Sequence, residues 1–132
     1  MKIRRLPASV AALALVVLAL PVPAADAARF GLETTRPLLV AAASGPQAPG
    51  SLFTLSPPGV LVETVKVSED GKALILRLFG GSGAAETAVI KWGTLQPPAV
   101  WLTDLTEKPL TPAPPAIAVP AYGIVHLRAD LP

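Results

Sequence analysis

His126 is the only histidine in the chain, and there is no cysteine. A zinc site takes three or four His, Cys or carboxylate ligands, which one histidine in a strand does not supply. A Ser-His-Asp arrangement would call for a nucleophile elbow of the form Gly-x-Ser-x-Gly, and the sequence has none. The alternation around His126 puts it on one strand face with Ile124 and Arg128, opposite Val125 and Leu127. We therefore read it as a solvated or hydrogen-bonded strand histidine. Gly80-Gly81-Ser82-Gly83 resembles a phosphate-cradling loop only in composition. It lacks the following Gly-Lys-Ser/Thr and the helix such a loop opens, so it reads as a turn. The aromatic side chains are few, and Trp92, Trp101 and Tyr122 are those that could form a stacking platform for a sugar ring. In an aromatic-poor chain a strand-end Trp more often plugs the core. Trp101 is the better platform of the three, because its neighbours Val100 and Leu102 point to the opposite face. No residue set here assembles a catalytic centre, and no metal or cofactor site is expected.

These side chains sit on short strands. Gly59–Val67 and Ala73–Phe79 are β-branched or Leu-rich runs joined by Ser68-Glu69-Asp70-Gly71-Lys72. Asp70 can hydrogen-bond its own backbone and Gly71 can take positive φ, so the join is a hairpin turn. Leu74, Leu76 and Leu78 alternate with Ile75, Arg77 and Phe79, which makes one face core. Further strands are expected at Leu52–Leu55, Ala84–Trp92, Ala99–Leu102, Ile117–Val119 and Ile124–Arg128. Between them lie a turn at Gly93–Pro98, a polar corner at Thr103–Lys108 and a proline-rich edge connection at Pro109–Pro115. Ala28–Ser44 also reads as allowing a strand, an edge one given Pro37, followed by a loop over Gly45–Gly50. Short strands separated by turns, without sustained i, i+3, i+4 apolar spacing, predict an all-β fold: one antiparallel β-sandwich.

The N-terminus is of another kind. Lys2, Arg4 and Arg5 precede an apolar run, Val10–Leu20, broken by Pro21 and Pro23. Small residues then stand at Ala25 and Ala27. This is the pattern of a secretory signal peptide over residues 1–27, cleaved after Ala27 or, alternatively, after Ala24. The apolar run is well short of the ~20 residues a membrane span needs, so no span is expected in the mature protein. The chain has 11 Lys+Arg against 9 Asp+Glu. Cleavage after Ala27 removes three of the former and Asp26, leaving eight of each. A near-neutral mature chain gives no basic footprint for nucleic acid. Residues 28–132 then form a single domain without disulfides, held by packing and expected in the periplasm or outside the cell.

In their order along the chain, several segments resemble the C-terminal β-sandwich domain of family 38 glycoside hydrolases, the α-mannosidases. They are Phe30–Leu38, Ser51-Leu52, Val60–Lys66, Glu69-Asp70-Gly71, Leu74–Phe79, Thr103–Leu110 and Ile124–Leu127. Gly80-Gly81 departs from the pattern, where such domains more often place Asn after the aromatic residue. The resemblance implies a domain outside the catalytic part of such enzymes, whose carboxylate and zinc ligands have no counterpart here. It also invites a glycosidase reading of Asp104 and Glu107. Hydrolysis needs two carboxyl groups facing across a sugar, one with a raised pKa. Asp104 and Glu107 lie in a polar corner beside Lys108, where turn and capping roles fit better. The expectation is a non-catalytic exported module with a structural or accessory role. The alternatives are a carbohydrate-binding module using Trp101, Trp92 or Tyr122, or an interaction module of the cell envelope. The corresponding partners are a glycan or a glycoside hydrolase catalytic subunit.

Overall fold

The computed structural model describes residues 22–36, 45 and 50–132. Of the expected signal peptide only residues 22–27 fall among them, and the rest, with residues 37–44 and 46–49, lies outside. The described chain forms one helix, α1 (Ala24–Thr35), and eight strands: β1 (Phe53–Ser56), β2 (Val60–Val67), β3 (Ala73–Gly80), β4 (Glu86–Trp92), β5 (Val100–Thr103), β6 (Thr111–Pro112), β7 (Ile117–Val119) and β8 (Ile124–Asp130). All strand pairs are antiparallel. A three-stranded sheet runs β1-β4-β7, and a five-stranded sheet runs β2-β3-β8-β5-β6. The expected all-β sandwich is the fold, with two further refinements: the proline-rich connection contributes the short edge strand β6, and one segment is helical.

The hairpin β2–β3 closes as its residues dictate. Gly71 takes φ 70°, and Asp70 Oδ1 accepts from Ser68 Oγ at 2.6 Å and Lys72 N at 3.0 Å. The core lies between the sheets. Leu76, Leu78 and Leu127 have no exposed surface there, and Val60, Ala88, Ile117, Val119 and Ala129 pack with them. Along β2 the period of two breaks once. Val62 pairs with Leu78 and Thr64 with Arg77, with a bulge at Glu63 between them. The bulge puts Val60, Val62, Val65 and Val67 on the core side and turns Thr64 and Lys66 outward.

The strand expected from Ala28 is overturned over its described part, which is the C-terminal two-thirds of α1. Ala-rich sequence favours a helix, and Asp26 sits in the first turn, where the positive end of the helix favours it. The Thr pair that suggested a strand is accommodated by back-bonding: Thr34 Oγ1 donates to the Phe30 carbonyl and Thr35 Oγ1 to the Gly31 carbonyl, both at 2.8 Å. The helix ends at Thr35, and Arg36, at φ −117° and ψ 86°, has left the helical region, as a residue before proline in sequence tends to. The helix packs on β2, and Arg29 Nη2 donates to the Pro58 carbonyl at 2.7 Å. The expected boundary between Ala27 and Ala28 falls inside this helix.

Candidate functional site

The side chains with chemical capacity gather on the outer face of the five-stranded sheet. Strand register sets them in two cross-strand rows. One is Lys66, Ile75, Arg128 and Trp101; the other is Thr64, Arg77, His126 and Thr103. At one end of this face α1 stands over Leu61, Phe79 and Ile124 across a cleft. At the other end the turn Asp104–Glu107 folds over the sheet, and a depression of about 290 Å³ opens between it and β2, β3 and β8.

Arg128 is the centre of the row that runs from Lys66 to Trp101. It is only 8% exposed, and its guanidinium donates to Asp70 Oδ2 at 2.9 Å, Asp130 Oδ1 at 3.2 Å and the Glu107 carbonyl at 3.1 Å. Asp130 also accepts the Trp101 indole N–H at 2.8 Å. Glu107 is likewise buried, with φ 61°, a left-handed conformation unusual for a residue with a side chain. Its surroundings hold it there. Its N–H donates to the Asp104 carbonyl at 3.2 Å, its Oε2 accepts from Glu69 N at 2.9 Å, and its Oε1 forms an ion pair with Lys66. The ion-pair partner is therefore Lys66 of β2 rather than the adjacent Lys108.

Three carboxylates here are pushed toward ionisation. Asp70 is held below its ordinary range by the Ser68 hydroxyl, the Lys72 N–H and Arg128. Asp104 is lowered by the hydroxyl and N–H of Thr106, at 2.6 and 2.7 Å. Glu107 is lowered by Lys66 and the Glu69 N–H. None of the three is a carboxylic acid poised to donate a proton near neutral pH. His126 Nε2 accepts from Arg77 Nε at 3.0 Å, which places the ring proton on Nδ1. Burial and then the Arg77 charge lower its pKa, so it is neutral at pH 7.

The three aromatic candidates do not come together. Trp92 packs against the core, its ring edge-on to Phe53 with centroids 5.5 Å apart. Trp101 is partly buried on the outer face with its indole nitrogen engaged by Asp130. Tyr122 is 63% exposed in the β7–β8 turn, at φ 53°. The clustering of Lys66, Arg77, Glu107 and Arg128 was missed from sequence. The valine spacing along β2, two then three then two, was the available sign: it marks the bulge that sets Thr64 and Lys66 beside Arg77 and Ile75.

Residues 59–126 match the C-terminal β-sandwich domain of the family 38 glycosyl hydrolases, just over half the chain. The chain belongs to that family. The match begins at the entry to β2 and ends within β8, so the matched stretch includes the hairpin, the Asp104–Glu107 turn and His126 and stops short of Arg128. Phe30–Leu38 and Ser51-Leu52, part of the resemblance read from sequence, also fall outside it. No curated protein and no solved structure matches the chain. Among the described residues, no group of His, Asp and Glu is arranged to hold a metal ion, and no helix is long and apolar enough to cross a membrane.

Proposed function

We propose that this family 38 C-terminal domain is a non-catalytic, exported accessory module. The observation that supports this reading most is electrostatic. Asp104 and Glu107, the carboxylates that line the open depression, are each bound by donors that stabilise the charged form. A retaining or inverting glycosidase needs one carboxyl group kept protonated beside its substrate. The test is hydrolysis of an aryl α-mannoside by the purified protein. No turnover above buffer is expected, and turnover abolished by Glu107→Gln or Asp104→Asn would overturn the proposal. Export is tested by N-terminal sequencing of the secreted product, which is expected to begin at Ala28.

A second reading, docking onto a glycoside hydrolase catalytic subunit, is favoured by one feature. Val65 and Val67 face the core side of β2, yet are 42% and 57% exposed along an edge that no strand among the described residues pairs. An apolar, unpaired strand edge is suited to adding a partner's strand. Val65→Lys is expected to abolish co-purification with such a subunit without loss of folding.

A further inference from the structure

The depression on the outer face has features of a binding site that the fold does not require. Its floor is apolar, formed by buried Ile75, while Leu105, 78% exposed, overhangs it from the Asp104–Glu107 turn. Around this surface stand Thr64, Arg77, Asp104 and His126. Arg77 uses only Nε, toward His126, leaving both terminal nitrogens without a hydrogen-bond partner among the described residues. Asp104 commits Oδ1 to Thr106 and leaves Oδ2 open. With Nε2 of His126 accepting from Arg77, its Nδ1–H is a further donor. The rim thus offers donors and acceptors side by side on planar groups.

Its charge is balanced. Lys66 is neutralised by Glu107, and Arg77 lies 3.4 Å from Glu63 Oε2. An anion would meet Asp104, and a cation would meet Arg77. A neutral polyol suits both, because each hydroxyl donates and accepts at once. The volume, about 290 Å³, lies just under the roughly 300–1,000 Å³ usual for small-molecule sites, which suits a single sugar ring rather than a longer chain. We propose that this depression binds one unit of a neutral saccharide, with hydroxyls bridging Arg77, Asp104 and His126 and the C–H face of the ring against Ile75 and Leu105. The assignment builds on the accessory reading but is separable from it: hydrolysis tests that reading, and binding without turnover tests this one. It also moves the sugar contact away from Trp92, Trp101 and Tyr122.

The experiment is saturation-transfer NMR on the full chain with methyl α-glucopyranoside, methyl α-galactopyranoside and methyl α-mannopyranoside, and with glucuronate and glucosamine as charged counterparts. At least one neutral glycoside is expected to bind more tightly than either charged sugar. Asp104→Asn, which keeps the acceptor for Thr106, is expected to weaken it about fivefold or more through loss of a charged acceptor. Leu105→Ala, at an exposed side chain, should weaken it without touching the fold. Binding by none of the neutral glycosides, preference for a charged sugar, or affinity unchanged in Leu105→Ala would each overturn the proposal.

Discussion

Replacing Arg128 with Met should be among the most damaging changes on the outer face, and the structure says which part of the damage dominates. Met preserves most of the aliphatic stem and removes the guanidinium. Three hydrogen bonds go with it, to Asp70, Asp130 and the Glu107 carbonyl. Asp70 has 47% of its side chain exposed and keeps its bonds to Ser68 and Lys72, so it is rehydrated readily. Asp130 keeps the Trp101 indole. The Glu107 carbonyl has no such recourse, because its residue is 8% exposed and fixed at φ 61°. Leaving a buried acceptor unpaired costs about 1–3 kcal/mol. With the exposed pairs adding little, a loss of about 2 kcal/mol follows, or about 8–16 °C in Tm for a domain of this size. Thermal unfolding followed by circular dichroism measures it, with Asp70→Asn as the control that removes only the exposed pair. A shift under about 3 °C in Arg128→Met would refute the reasoning, as would an Asp70→Asn loss equal to it.

Three other outcomes follow from the same structure. Asp70, Asp104 and Glu107 have folded pKa values below their ordinary 3.8 to 4.5, so they bind protons more weakly folded than unfolded. The stability they contribute is complete above that range and is lost as pH falls below it through their lower folded values, with an earlier, shallower decline as pH drops below 6.5 because His126 is also lowered; in a pH series of melting temperatures, Glu107→Gln should flatten the acid limb. Leu76→Ala should cost about 2–5 kcal/mol in a urea titration, because Leu76 is fully buried between the sheets. Gly80→Ala should cost about 1–3 kcal/mol, since an added Cβ would run into the Pro120 carbonyl oxygen and backbone cannot yield as a side-chain tip does; a neutral result would mean the β3 end lies elsewhere.

How much of this was legible beforehand depends on how local its cause is. The β2–β3 turn was readable because Asp70 and Gly71 are local turn formers, and alternating Leu residues set the face of β3, whereas the bulge inside β2 was not. The helix was not, because the same Thr34-Thr35 pair serves a strand by branching and a helix end by back-bonding, and only the Ala-rich stretch before it decides between them. That stretch also fits the end of a signal peptide, a pattern that hides its helical propensity. The outer-face site was the least legible. Arg77 meets His126 across 49 residues of chain, and Arg128 meets Asp70 across 58. No window of sequence contains either pair. They meet because β8 pairs with β3, and the bulge at Glu63 adds Thr64 and Lys66 to the same face. Residue type singles out Trp92, Trp101 and Tyr122, whose rings carry visible chemistry singly. The depression depends instead on planar groups that have little recognition capacity alone. Their capacity comes from convergence over Ile75, which is a property of register.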